Sequence, residues 1–471
     1  MKQNEKLADA LSHIRPAFVA EAAMPKKKRS RVLLRIVAAA AAIALVIGIS
    51  QLPHPILADS ISSAAGSHVA PRPDRDDYKN YDDFRAALDA WNAQDSARRN
   101  MLHAALLQLQ PFLIQGNRTF LQSSSTENLI WSPANACIGL ALTTELSCGA
   151  TRQQVLQLLG SQDVSLLRQQ VSAIWESVYR DNGNEICTLA NSLWLEEGLD
   201  FEKSHMDDLA HHYHTSVFRG DLGSSTINSA IGAWLNNNTG GLLKEATEGI
   251  SLTQDTILAL YSTLYFQSKW SDQFNAANNT IAPFHAPDGD RDTTFMNKEL
   301  YQTYYYWGER FSAVQLHLKN GSSMWFILPD EGMTTGDVLE DGQYMNMLLS
   351  GNYENSKYMK VNLSVPKFDV TSSMNLADGL KEMGVTDLFD PGKCDLSSFA
   401  GNLPVVFTAA NQAVRVQVDE EGVKAAAYIE MPGAGSAMPP EEIIDFIVDR
   451  PFLFVISKSS VPLFAGVINQ P

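Results

Sequence analysis

The chain has 471 residues, 45% of them hydrophobic, and its 53 acidic against 36 basic side chains give a formal charge of −17. A chain of this size and composition buries one large core or two ordinary ones, which excludes a disordered protein and a small disulfide-stapled scaffold. The acidic excess repels phosphate backbones and anionic glycans, so nucleic acid is not an expected partner.

Residues 1–31 form a head that ends in a basic run, Lys26, Lys27, Lys28, Arg29 and Arg31, and residues 32–50 are apolar except for Arg35 and the last position. The stretch after Arg35 is shorter than the roughly 20 apolar residues a spanning helix prefers, although Val32 to Leu34 and a snorkelling Arg35 extend it. A cleaved signal peptide and a retained signal anchor both fit. The long head and the lack of a persuasive A-x-A site favour the anchor. The basic run stays on the cytoplasmic side, so the bulk of the chain is expected outside, membrane-attached or secreted. Residues 51–76, mixed Pro, Ser, Ala and Gly, read as a flexible tether to one domain over 77–471.

From Tyr81 to about Leu121 apolar residues recur at three and four, and Pro111 is expected to divide this pattern into two helices. Ser132 then caps a helix with Pro133 at its first position, and Gly149 is read as its stop. Thr151 with Gln154 reads as a capping box opening a further helix that Gly160 ends. Strand-like runs follow at Leu189 to Leu195 and Thr256 to Phe266, the latter apolar enough for a central strand buried on both faces. Ala313 to Lys319 and Ser322 to Leu328 flank Asn320-Gly321, a hairpin signal, and Phe452 to Ser457 with Leu463 to Ile468 close the chain in the same way. Helices early and strands late predict an α+β fold with sizeable antiparallel sheets in one domain.

Cys137, Cys148, Cys187 and Cys394 show no C-x-x-C pair and no His at zinc spacing, so free thiols are expected ahead of one exported disulfide. His211, His212 and His214 read as a solvated cluster, since adjacent helical residues do not share a face. No metal, no cofactor and no catalytic residues are assigned. There is no G-x-S-x-G elbow, no H-E-x-x-H and no evident carboxylate pair, so a hydrolase is not the reading.

Val414, Val416 and Val418 alternate with polar residues as in a half-buried strand. After Glu420, Glu421 and Gly422 the alternation resumes, with Val423, Ala425, Ala427, Ile429 and Met431 on one face and Lys424, Ala426, Tyr428 and Glu430 on the other. A loop with strand periodicity then runs into Pro432, Gly433, Gly435, Pro439 and Pro440, the composition of an exposed, cleavable segment.

With these residues in view, the chain from about Leu106 to Pro471 resembles a serpin. The resemblance rests on Trp131-Ser132-Pro133, Gly149-Ala150 before Thr151, Ala190-Asn191, Tyr265-Phe266 followed by Lys269-Trp270 and Phe274, and Pro366-Lys367-Phe368. It continues through Met383-Gly384, the Glu420-Glu421-Gly422 hinge with Ala425, Ala426 and Ala427, then Arg450-Pro451-Phe452 and Phe464-Ala465-Gly466.

The resemblance implies the serpin fold with an exposed reactive-centre loop. It also implies a suicide-substrate inhibitor of a serine protease, or of a cysteine protease: the enzyme supplies the nucleophile, and the cleaved loop inserts into the main sheet. A monomer of bacterial type, membrane-attached or secreted, is the expected form. Family spacing, about fourteen residues past Gly422, and the following Pro439-Pro440 place the reactive bond at Ser436-Ala437, with the Ala434-Gly435 and Met438-Pro439 neighbourhoods as alternatives. Small residues there suit elastase-like or subtilisin-like enzymes, and no Arg or Lys lies between Tyr428 and Asp449 for a trypsin-like one. The rival reading is a non-inhibitory, chaperone-like or binding member whose loop is cut without trapping.

Ser132, Asn135, Ser262, Trp270 and one of Asn411 and Gln412 are expected in the sheet-opening region. Three positions depart from the family pattern: Asn135 where Ser is common, Ser262 where Asn is common, and Asn411 or Gln412 where His is common. Each still hydrogen-bonds. Pro432 lacks a ladder donor, so insertion is expected to be strongest from Val423 to Met431.

Overall fold

The computed structural model describes residues 59–62, 72–122, 124–181, 185–243, 252–351, 353, 355–423 and 442–471. The basic head, the apolar stretch at 32–50, Lys424, Ala425, Ala426 and Ala427, and the Ser436-Ala437 bond lie outside these residues. No helix among the described residues is long and apolar enough to cross a membrane.

The first helix, α1 (Tyr81–Leu121), starts at Asn80, whose side chain accepts from the Asp83 N–H, and runs unbroken through Pro111. Two helices were expected. Pro111 is exposed, as is Leu107, so the carbonyl that loses its partner faces water. The buried stripe Leu102, Leu106, Leu109, Phe112, Leu113 and Phe120 meanwhile holds both halves to one core. Next, α2 (Pro133–Leu146) carries Pro at its first position, and its capping Ser132 Oγ accepts from the Asn135 N–H.

Gly149 opens α3 (Gly149–Leu158) rather than closing α2. The expected capping box is absent because both of its side chains have tertiary partners. Thr151 Oγ1 accepts from the Asp395 N–H and donates to the Lys393 carbonyl, while Gln154 Oε1 accepts from the Thr386 and Asp387 N–H groups. Further helices are α4 (Val164–Val178), α5 (Lys203–Tyr213) and α6 (Ser225–Asn238).

Two sheets complete the fold. The first holds β1 (Asp59–Ser62), β3 (Arg180–Asp181), β4 (Glu185–Glu196), β5 (Thr215–Gly220), β6 (Leu258–Lys269), β12 (Phe368–Asn375), β13 (Asn411–Val418) and β14 (Gly422–Val423). Their order is β1-β5-β4-β6-β14-β13-β12, with β3 on β4. The second holds β2 (Leu129–Trp131), β7 (Thr280–Ala286), β8 (Gly289–Trp307), β9 (Phe311–His317), β10 (Ser322–Pro329), β11 (Ser356–Pro366), β15 (Ile443–Ile447), β16 (Phe452–Lys458) and β17 (Val461–Ile468). Its order is β15-β11-β8-β9-β10-β16-β17-β2, with β7 on β8. The architecture is α+β, as the sequence predicts. Residues Asp59–Ser62, expected as part of a flexible tether, instead pair antiparallel with β5.

The sheets meet through a common core. Phe368 of β12 packs against Phe452 and Phe454 of β16, with ring centroids 6.1 and 5.6 Å apart. A buried ion pair also joins the sheets: Lys458 of β16 meets Glu185 of β4, which also accepts from the Ser322 hydroxyl of β10. A pair taken wholly out of water adds little net stability, but removing one partner leaves the other charge uncompensated. Lys458→Met is therefore expected to destabilise the protein by about 3–5 kcal/mol in urea unfolding. Combining it with Glu185→Gln should restore most of that loss.

Candidate functional site

After β13 the chain turns tightly through residues 419–422. Asp419 Oδ1 accepts from the Glu421 and Gly422 N–H groups at 2.9 and 3.2 Å, and the Asp419 N–H donates to the Gly422 carbonyl at 3.1 Å. Two residues of strand follow. Gly422 has φ +155°, and a Cβ there would lie 2.4 Å from the Ser268 carbonyl oxygen and 2.6 Å from Lys269 Cα. Only glycine admits this approach of two backbones.

The turn is gripped from the far end of β6. The Trp270 indole N–H donates to the Asp419 carbonyl at 2.8 Å, and the backbone N–H groups of Trp270 and Phe274 donate to the Glu421 and Glu420 carbonyls at 3.0 and 3.1 Å. The Glu420 carboxylate meets the Lys367 ammonium at 2.9 Å and accepts from the Asn279 amide at 2.5 Å. Burial pushes this carboxyl up, but the bonds from Lys367 and Asn279 outweigh it and hold it below the ordinary glutamate range.

What β14 separates is the central feature. Val423 is paired antiparallel with Val418 of β13 and with Ser268 of β6, so β6 and β13 run parallel to each other on its two sides. Among the described residues no ladder joins β6 to β13 directly. A cleft of about 880 Å³ opens there, lined by residues of β6, β13 and α2. On the inward face Phe266, Ser268, Val414, Val416 and Val418 are buried, whereas Leu258, Leu260 and Leu264 are only half-buried. The expected burial of β6 on both faces is thus incomplete where a neighbouring strand is lacking.

Near the middle of β6, the Asn135 amide donates to Ser262 Oγ at 3.1 Å. Gln412 clamps the start of α2: its Oε1 accepts from the Ser132 N–H at 2.8 Å and its Nε2 donates to the Ser132 carbonyl at 3.1 Å. Ser132 Oγ in turn donates to the Leu463 carbonyl of β17 at 2.6 Å. Gln412, not Asn411, therefore joins this cluster; Asn411 is exposed and opposite Asn375. Trp270 does not belong to it either. It lies eight residues along from Ser262, roughly 27 Å of strand, and serves the turn instead.

Lys367, Asn279 and Gln273, whose amide donates to the Glu421 carbonyl, went unassigned in the sequence reading. Lys367 carried a signal in Pro366-Lys367-Phe368; Asn279 carried none. All four cysteines are free, and burial pushes the Cys137 and Cys187 thiols up to about 12, so neither ionises near neutral pH.

A family model described as serpin (serine protease inhibitor) matches residues 110–471. The chain belongs to the serpin family. It is 28% identical over 371 residues to Serpin-ZX of Arabidopsis thaliana, covering 74% of this chain and 93% of that protein. Among solved structures it resembles Arabidopsis AtSerpin1 in a native stressed conformation, with TM-score 0.68, 25% identity, and coverage of 79% of this chain and 98% of that one. Thyroxine-binding globulin in complex with thyroxine shares the fold at TM-score 0.64 and 19% identity, over 77% of this chain and 98% of that one. These serpin relatives are plant and animal proteins, so nothing in them supports a bacterial type.

Two outcomes test the grip. Gly422→Ala should expel the turn from beside Ser268 and speed exchange of the Trp270 and Val423 amides roughly tenfold or more. Because the Glu420 carboxyl is held below its ordinary value of about 4.3, its hold is complete at neutral pH and is lost as pH falls through that lowered value. The Trp270 indole N–H resonance should follow this step on acidification, and Glu420→Gln should abolish it.

Proposed function

We propose that this chain is a suicide-substrate inhibitor of serine proteases with shallow primary pockets, elastase-like or subtilisin-like, acting outside the membrane that its N-terminal segment meets. The observation that carries the reading is the strand-wide opening between parallel β6 and β13, into which Gly422 and Val423 already enter antiparallel to both. A third strand of that direction is what the opening accepts. The residues that would supply it follow Val423 in the chain.

Continued in the same register, Ala425 would fall beside Phe266 and Val416, Ala427 beside Leu264 and Val414, and Ile429 beside Ser262 and Gln412. These are inward-facing positions, and the alternation of the loop sequence puts its small and apolar residues on that face. Each larger apolar side chain gains roughly 1.5 to 3 kcal/mol on full burial, and the half-exposed Leu260 and Leu264 gain cover as well. Inserted backbone groups acquire ladder partners on both sides. The intact form therefore persists because of a barrier rather than as the lowest state. The AtSerpin1 relative, described as native and stressed, supports this reading.

In the proposed reaction the protease serine attacks the Ser436 carbonyl. The amide bond to Ala437 breaks, the Ala437 amine leaves with a proton, and Ser436 stays esterified to the enzyme. Insertion of the segment before Ser436 then drags the acyl-enzyme away from the geometry it needs for hydrolysis. The chain acts as a monomer, needs no cofactor, and contributes no catalytic group.

Val423 is already buried in the intact molecule, so charge placed there would disturb both states. Ala427→Arg tests insertion more cleanly, because insertion on the inward face would bury the charge. Wild type mixed with elastase or subtilisin should give an SDS-resistant adduct and, once nicked, a markedly higher Tm. The variant should be cut at a similar rate with neither adduct nor Tm gain. A wild type that is cut without adduct would be the non-inhibitory member of the family.

A further inference from the structure

The histidines at the end of α5 take no part in the opening between β6 and β13, and they are not the solvated cluster that their spacing suggests. His211 is exposed, but His212 and His214 are half-buried. His214 follows the last turn of α5 in the left-handed region, φ +51°, and its ring centroid lies 4.7 Å from that of Trp175 on α4. The His211 and His212 rings are also 4.7 Å apart, edge-on.

At the centre of the contact between α4 and α5 is a carboxylate. Glu145 of α2 is buried, and two side chains close round it. Arg168 of α4 donates to it from Nε at 2.7 Å and from Nη2 at 2.8 Å, and the Tyr213 hydroxyl of α5 donates to it at 2.9 Å. The same Arg168 Nη2 reaches Asp208 of α5 at 2.7 Å. One guanidinium therefore ties α5 to α4 directly and to α2 through Glu145. Charge-assisted, bidentate bonds of this kind are the strong ones.

His212 stands beside this knot. The charged groups that act on it are Arg168 of α4, Glu145 of α2, and Asp208 and His211 of α5. Both carboxylates already hold Arg168, so a proton on His212 meets the guanidinium more than free carboxylate. Burial first, then Arg168 and His211, push the imidazole below its ordinary range, and attraction from Asp208 and Glu145 does not make up the difference. An imidazole with a lowered folded value favours the seated helix fully above its ordinary value of about 6.5. That preference declines as pH falls below there and is spent once pH is under the lowered value.

We propose that α4 and α5 form an acid-sensitive clasp, in which protonation of His212 beside Arg168 lets the end of α5 swing off α4. Opening returns the imidazole to water and away from the guanidinium. Arg168 keeps its two bonds to Glu145, so the buried carboxylate is not left without a partner. Thr215 begins β5 directly after His214, and β5 borders β4 on one side and β1 on the other. The clasp thus couples the acidity of the surroundings to how firmly the outer strands of the first sheet are held to α2 and α4. It operates whether or not the loop traps a protease.

The test follows amide exchange in the full chain from about pH 7.5 to about pH 5, the range over which an imidazole ordinarily changes charge, with each rate divided by the intrinsic rate at that pH. Amides from Met206 to Tyr213 should open about threefold or more as pH falls, since each unit of lowered pKa corresponds to about tenfold. Amides of α6, which has no histidine, should not follow. The loss of the Glu420 hold lies below about 4.3, outside this range. His212→Gln stays uncharged throughout and should abolish the rise. In the wild type, the His212 ring resonance should titrate below about 6.5. A rise smaller than about threefold, an equal rise in α6, a rise that survives in His212→Gln, or a His212 midpoint at or above about 6.5 would overturn the proposal. If His212→Gln does not fold, the wild type decides: an exchange midpoint that coincides with the His212 titration upholds the clasp, and one that departs from it rejects it.

Discussion

Two parallel strands held one strand-width apart set the terms for the rest of this molecule. Neighbouring strands lie about 4.8 Å apart, so the rungs from Val423 to Val418 and to Ser268 hold β6 and β13 at roughly twice that spacing where β14 enters. Beyond those two residues, among the described residues, the strands gain no ladder bonds from each other. The half-burial of Leu258, Leu260 and Leu264 is the direct cost of that arrangement. Under the proposed mechanism, the apolar residues that follow Gly422 in the sequence would cover this lining.

The opening is braced at two points by different chemistry. Near Gly422 the brace is ionic and backbone-rich: Lys367 and Asn279 hold the Glu420 carboxylate, and Trp270 and Phe274 hold three successive carbonyls of the turn between them. Near the middle of β6 it is neutral. Gln412 bonds both polar groups of the Ser132 backbone, and Asn135 bonds Ser262, so each strand is tied separately to the start of α2. That helix is buried along almost its whole length, and it is the fixed body against which the strands would part. The Glu185–Lys458 pair ties the β4 and β6 side to the second sheet, and Phe368 against Phe452 and Phe454 ties β12 to it on the other side.

Features that depend on near neighbours in sequence were legible before the structure. Ser132 capping a helix with Pro133 at its first turn is local chemistry, as is the alternation that fixes the inward face of β13. Features decided by distant partners were not. Thr151 and Gln154 have capping-box spacing, yet Asp395, Thr386 and Asp387 claim their side chains from more than two hundred residues away. Pro111 has a breaker's identity, but one buried stripe on either side of it outweighs a single lost hydrogen bond on the wet face. The grip on Glu420 unites residues 53 and 141 positions apart, and only Lys367 stood in a recognisable motif. Asp59–Ser62 pair with a strand some 150 residues on, which no local composition announces.

The register also bounds how deep a ribbon would run under the proposed mechanism. At Ala425 and Ala427 its inward neighbours would be Phe266, Val416, Leu264 and Val414, all apolar. At Ile429 they become Ser262 and Gln412, which are polar but already bonded to α2, so an incoming isoleucine meets satisfied groups and need not break them. Three residues later Pro432 brings no N–H to either ladder. The polar pair and the proline are independent features, one fixed by the body and one by the loop, and they fall within a single turn of the pleat. The driving force is thus concentrated in the first nine residues after the hinge, and anything that slows the entry of Ala425 and Ala427 would delay trapping more than an equal obstacle placed beyond Met431.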